Sequence, residues 1–203
     1  MRRFSSRTLL AAASAALAAV LLIAGGLALW GSAYVHNTVR NQLAAQQIYF
    51  PPASAFAHAK AGAEIAPSMI PSVSQYAGQQ MLTGQQAEAY ADHFIAVHIQ
   101  EMGAGKTYSQ LSAESIAQPS NTALAATVNT VFKGETLRSM LLSAYGWWKV
   151  SQITYVVSLA LFGLGTVAGL AAAYLLAFGR RPRRAAQVTQ PSGHETISPA
   201  TTA

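Results

Sequence analysis

The sequence predicts an all-α membrane protein: two transmembrane helices with a small helical extracytoplasmic domain between them. Three observations carry this. Two long stretches hold no charge. The basic residues crowd at the two ends of the 203-residue chain. The middle carries helix start and stop signals and no alternating strand pattern. Composition agrees: 52% of residues are hydrophobic and 10% charged, where a soluble domain averages about 25% charged.

Residues 1–7 form a short basic N-terminus. The first apolar run then reads TLLAAASAALAAVLLIAGGLALW, Thr8 to Trp30, and the span is set at 8–33. A helix needs about 20 apolar residues to cross the hydrocarbon core. There it satisfies its own backbone hydrogen bonds. A cleaved signal peptide is the rival reading, with small residues at Gly31 and Ala33 as the cleavage site. The run exceeds the apolar core of about 7–15 residues that such peptides use, so a retained anchor is expected. The Arg2-Arg3 pair lacks the flanking pattern of a twin-arginine signal. The second run, Ile153 to Phe178, lies in a span set at 150–179.

Orientation follows from the cations. Arg2, Arg3 and Arg7 precede the first span, and Arg180, Arg181, Arg183 and Arg184 follow the second. Between the spans, Arg40, Lys60, Lys106, Lys133, Arg138 and Lys149 are balanced by Glu64, Glu88, Asp92, Glu101, Glu114 and Glu135. Basic ends and a neutral middle place both termini in the cytoplasm and residues 34–149 outside the cell membrane. Trp30, Tyr34, Tyr145, Trp147 and Trp148 sit where interfacial aromatic residues belong. The arginines are read as the topology signal and as headgroup contacts, so no nucleic acid is expected as a partner. Residues 180–203, ending in QVTQPSGHETISPATTA, are Ser-, Thr- and Pro-rich and are expected to be a disordered cytoplasmic tail.

In the exterior segment, Val35 to Gln47 continues the first helix, with Leu43, Gln46 and Gln47 expected near the membrane surface. Pro51 and Pro52 stop it. Residues 53–77, with Pro67, Pro71 and Gly62, read as a loop with one short helical turn. Thr83 and Gln86 have capping-box spacing. Ala87, Tyr90, Ala91, Phe94, Val97 and His98 then define one helix face, and Gly103 ends it. A second helix covers Tyr108 to Gln118, ended by Pro119. A third begins near Ser120 or Asn121 and leads into the second span, with Gly134 and Gly146 as bend points.

Candidate chemistry is sparse. EMGAGKTYSQ contains Gly105-Lys106-Thr107, the end of a P-loop, but Gln100 stands where the first glycine belongs. A helix, not a strand, precedes it, so no nucleotide is expected; Lys106 reads as solvated. Glu88, Asp92, His93, His98 and Glu101 form the richest polar cluster, with His36 or His58 as further candidates for an exterior metal or acid–base site. The two helix histidines are five apart and lack ligand spacing, so a polar helix face is favoured and no metal or cofactor is assigned. No Gly-x-Ser-x-Gly nucleophile is present, and no catalytic residue is assigned. Cysteine is absent, which excludes disulfides and thiolate metal sites. Glu135 and Arg138 are spaced to pair, worth about 0.3–0.5 kcal/mol on a surface. The spans hold no ionisable residue, so no proton or ion path is visible. Gly165-Thr-Val-Ala-Gly169 and the alanines of the first span, read at four-residue spacing, offer small faces for helix contact within the chain or with a second copy.

The phrases QLAAQQIYFP, YAGQQMLTGQQAEAYADHFIAVHI, GKTYSQLS and VFKGETLRSMLLSAYGW resemble those of actinobacterial two-span membrane proteins of unknown function. The resemblance covers most of residues 42–148 together with the layout of the spans. Some members carry an aromatic ring-opening dioxygenase label, but the facial set of two histidines and a carboxylate that non-haem iron needs has no counterpart here. The resemblance implies an envelope protein with an ordered exterior cap and no catalytic residues to carry over. Three functions remain as expectations. The first is a non-enzymatic interaction or structural role of the cap, mainly residues 79–149, whose partner besides the lipid bilayer is a second copy or another envelope protein. The alternatives are a metal-dependent enzyme centred on Glu88, Asp92, His93 and His98, and a transport or channel accessory.

Overall fold

In a computed structural model of the chain, residues 6–178 are described. The terminal arginines other than Arg7, and the Ser/Thr/Pro-rich tail, lie outside them. Two helices dominate: α1, Ser6–Ala45, and α7, Thr122–Phe178. At 1.5 Å per residue they are about 60 and 85 Å long. Both are long and apolar enough to cross a membrane. Each continues well past its apolar stretch, so the cap is built on extensions of the same two rods, the end of α1 and the start of α7.

The rods run antiparallel. Ala18 lies opposite Gly169, Leu22 opposite Gly165, and Gly25 opposite Leu161 and Phe162. The contact follows a spacing of seven. Ala11, Ala18, Gly25, Ser32 and Val39 are buried on α1; Ser151, Ser158, Gly165 and Ala172 are buried on α7. Seven residues fall just short of two full turns, the repeat that goes with left-handed winding of paired helices. The side chains in this seam are small, which lets the backbones approach closely and gain dispersion contact. The expected alanine spacing of four is thus corrected to seven. At the outer end, the Ser32 hydroxyl donates to the Ser151 carbonyl at 2.7 Å. At Trp148–Ser151 the buried row of α7 steps along by three residues, and the seam passes from small residues to the large ones of the cap.

Between the rods lie α2 (Ala53–Phe56), α3 (Ile70–Val73), α4 (Gly84–Tyr90), α5 (Ala96–Met102) and α6 (Tyr108–Ala117). Just past the end of α1, Gln47 takes φ 53°, in the left-handed region. The chain then runs extended through 48–51 beside 78–81. Phe50 N–H donates to the Gln79 carbonyl and Met81 N–H to the Ile48 carbonyl, both at 2.9 Å. These bonds close the excursion 52–77 into a compact loop. It holds more helical turns than expected: α2, α3 and 3₁₀ turns at Pro67–Met69 and Ser74–Tyr76. Burial explains the difference. Phe56, Ile65, Met69 and Val73 all face the core, and a loop buried this deeply must satisfy its backbone internally.

The core of the cap joins these turns to Val39 and Leu43 of α1, to Ala87, Ala91, Ile95 and Ile99, and to Val131, Leu141 and Trp148 of α7. Leu43 therefore belongs to this core. The Thr83 capping box forms as the spacing predicts, and a second one, Thr107 with Gln110, opens α6. Between α4 and α5 the helix widens into a π-turn, Ala91–Ile95. The buried positions Ala87, Ala91, Ile95 and Ile99 are four apart. A regular α-helix would rotate them steadily off one face; one wide turn holds them on it. This corrects the face expected from regular spacing. Ile95 and Ile99 are buried, whereas Tyr90, Phe94, Val97 and His98 lie at its edge. α5 does end at Gly103, but the left-handed residues are the next two, Ala104 and Gly105.

Gly134 and Gly146 do not interrupt α7. Gly134 is instead a contact point, where Ile99 packs so closely that a Cβ would lie 2.8 Å from its Cγ1. Gly84 plays the same part more tightly for Trp148. The Trp148 ring also packs on His36, with centroids 4.0 Å apart. Its indole N–H is buried without a hydrogen-bond partner, at a cost of about 1–3 kcal/mol. Removing some 200 Å² of indole surface from water contributes about 5 kcal/mol, enough to offset it.

Candidate functional site

The Gly105-Lys106-Thr107 segment forms the turn between α5 and α6. Thr107 is spent on its capping box: its hydroxyl accepts from Gln110 N–H, and the Gln110 side chain accepts from Thr107 N–H at 2.9 Å. Lys106 is not simply solvated but pairs with Glu114 at 2.7 Å. Neither the turn nor the lysine is arranged to cradle phosphate.

The polar cluster of α4 and α5 disperses. Asp92 turns toward α7, where its Oδ1 accepts from Arg138 Nη2 at 2.7 Å and from Nε at 3.2 Å. Arg138 was expected to pair with Glu135; that contact exists but is longer, 3.5 Å. The hydrogen bond to Asp92, ahead of the nearby carboxylate charges, raises the Arg138 pKa above its ordinary value. His98 turns elsewhere. Its Nδ1 lies 2.8 Å from the Phe94 carbonyl, and its ring ends a row of aromatic contacts. The row runs Tyr76, Phe50, Tyr90, Phe94, His98, with centroids 4.6–5.4 Å apart. Burial, and then the charge of Glu64, raises the Tyr90 pKa, which keeps the phenol protonated. Among the described residues no three His, Asp or Glu side chains gather as a metal site. A shallow hollow of about 580 Å³ is bordered by Glu64, His98 and Glu101, and is open to solvent.

The Asp92–Arg138 pair ties the π-turn to α7. Both side chains are about one-third exposed, which screens the pair. A double-mutant cycle with Asp92→Ala and Arg138→Ala should give a coupling of about 1 kcal/mol, smaller in high salt. A coupling near zero in thermal or denaturant unfolding would show the pair to be incidental.

The better-formed concavity lies elsewhere, on the seam itself where the apolar stretches meet the cap. A groove of about 480 Å³ runs between α1 and α7, from His36 and Asn37 at its outer end, past Ser32, Ser151 and Gln152, to Leu29 and Val156 at its inner end. Apart from His36, a candidate ligand in the sequence, these residues did not stand out. They belong to two helices more than a hundred residues apart, and each half reads alone as ordinary span-end polarity.

No protein-family model, curated protein or solved structure matches the chain.

Proposed function

We propose that the chain is a cell-membrane protein with both termini cytoplasmic, whose exterior helical cap serves a non-enzymatic interaction or structural role. The observation that carries the membrane reading is what the two rods leave uncovered. Only 17% of the most apolar stretch of each is buried, whereas the core helix of a water-soluble protein would be largely covered. Leu10, Val20, Ile23 and Leu27 on α1, and Val156, Leu164, Val167 and Leu170 on α7, face outward. Such a surface calls for a hydrocarbon solvent. The basic ends and the neutral middle support the orientation.

The interaction role rests on the dispersal of the polar cluster. With Asp92 committed to Arg138 and His98 to the aromatic row, both are taken from the metal-enzyme alternative. The cap meanwhile exposes apolar side chains that a partner would cover, among them Met102, Ile116, Phe132 and Met140.

The cysteine-free chain suits accessibility mapping. Ser120→Cys, at the turn between α6 and α7, should react with a membrane-impermeant maleimide on intact cells. Ser192→Cys, in the tail, should react only after lysis. The reverse pattern overturns the orientation, and equal reactivity in a soluble fraction overturns the membrane assignment. Crosslinking in native membranes should recover a second copy or a defined protein partner; a clean monomer overturns the interaction role.

A further inference from the structure

We infer that the groove at the outer end of the helix pair binds one phospholipid of the outer leaflet, headgroup outward and acyl chain inward. The inference rests on the membrane reading above. The polarity of the groove is graded along the rods. Its inner end, Leu29 and Val156, lies within the apolar stretches, and its outer end, His36 and Asn37, lies beyond the Trp30–Tyr34 stack. A bilayer's interface has the same gradient in the same direction, so an amphiphile lying along the groove meets matching chemistry at both ends.

The rim is also open for bonding. The polar groups of the floor are already used: the Ser32 hydroxyl donates to the Ser151 carbonyl and the Ser151 hydroxyl to the Trp148 carbonyl, each at 2.7 Å. At the rim, the side chains of Asn37 and Gln152 are exposed and make no hydrogen bond among the described residues. His36 is held in place by its tilted ring contact with Trp148. One turn farther out on the same face of α1, at three and four residues from Asn37 and His36, stands Arg40. It too is exposed and has no ion-pair partner among the described residues. Of the other cations between the two apolar stretches, Lys106 and Arg138 pair with carboxylates and Lys149 lies over the Tyr145 ring, while Lys60 and Lys133 are unpaired among the described residues. An unpaired guanidinium above two amide side chains suits a phosphodiester, which offers anionic oxygens to all three. The groove's volume of about 480 Å³ holds a headgroup with the upper part of one chain, the scale of a small-molecule site.

The full-length protein is reconstituted into vesicles of equal parts phosphatidylglycerol and phosphatidylcholine, floated on a density gradient, then extracted in mild detergent for native mass spectrometry. The expected result is one retained phospholipid per chain. Asn37→Ala/Arg40→Gln, two exposed positions, should lower retention at least about tenfold. Ala33→Trp, which fills the groove, should abolish it. Ala171→Phe, on the exposed surface about four turns from the groove, should leave it unchanged. A floating wild-type protein that retains no lipid, retains it equally in all variants, or appears as a lipid-free dimer overturns the lipid site while leaving the membrane reading intact. Failure to float overturns the membrane reading itself, and the site with it.

Discussion

Gly84→Ala should destabilise the cap by about 3 kcal/mol, at the upper end of the cost of overpacking. A methyl at this position would lie 2.3 Å from Trp148 Cβ and 2.5 Å from its Cγ. Those atoms are close to the α7 backbone and cannot swing aside. The indole is pinned on another side by His36, and Trp148 is only 5% exposed. Gly84 cannot retreat either. It is the first residue of α4, and the capping box holds that end. Gln86 N–H donates to the Thr83 hydroxyl at 3.2 Å, and the Gln86 side chain accepts from the N–H groups of Leu82 and Thr83 at 2.7 and 3.0 Å. A matched substitution should act in the opposite direction. Gly146 lies inside α7 with nothing within 4 Å of where a Cβ would stand, so Gly146→Ala should stabilise by about 0.5–1 kcal/mol by relieving the helix of a flexible residue. Thermal unfolding of both variants in the same detergent measures the split. A neutral or stabilising shift from Gly84→Ala would mean that α4 does not seat on Trp148 in this way.

This contrast shows where the sequence was legible. Helix existence was readable wherever a local rule applied: uncharged length for the rods, Thr83 with Gln86 for the start of α4, Pro51 and Pro52 for the break after α1. What could not be read was which glycine lies beneath which side chain, because Gly84 and Trp148 meet only through tertiary packing. The π-turn escaped for a related reason. A spacing of four between Ala87, Ala91, Ile95 and Ile99 differs too little from helical periodicity to be noticed until one face is seen to be buried. In the polar cluster the structure sends Asp92 and His98 to different neighbours, Arg138 and the aromatic row. The attachment of Asp92 to Arg138, 46 residues away, had no local signature.

The seam between the rods was the least legible part, and it supports the second large prediction. In a helix that is apolar all round, hydropathy carries no periodicity, since lipid and partner helix are equally oily. The distinguishing property is size, and Ala11, Ala18, Gly25 and Ser32 are marked only by being small. Gly165 and Gly169, read in sequence as a face for contact within or between chains, meet α1 of the same chain. A Cβ on Gly165 would lie 3.0 Å from Leu22 Cγ and Cδ2, and one on Gly169 would lie 3.8 Å from Ala18 Cβ. The latter separation matches the Cβ–Cβ distance of about 3.8 Å that a disulfide requires. In the cysteine-free background, Ala18→Cys with Gly169→Cys should therefore oxidise to a link within one chain, seen as a faster-migrating monomer under non-reducing conditions. Gly165→Leu added to this pair should lower the yield severalfold, because a side chain forced against Leu22 must part the helices, at an overpacking cost of about 1–3 kcal/mol. Gly163→Leu, placed where nothing lies within 4 Å, should leave the yield unchanged. Disulfide-linked dimers in place of the internal link would mean that the small-residue face joins two copies of the chain and that α1 and α7 do not pair along this seam.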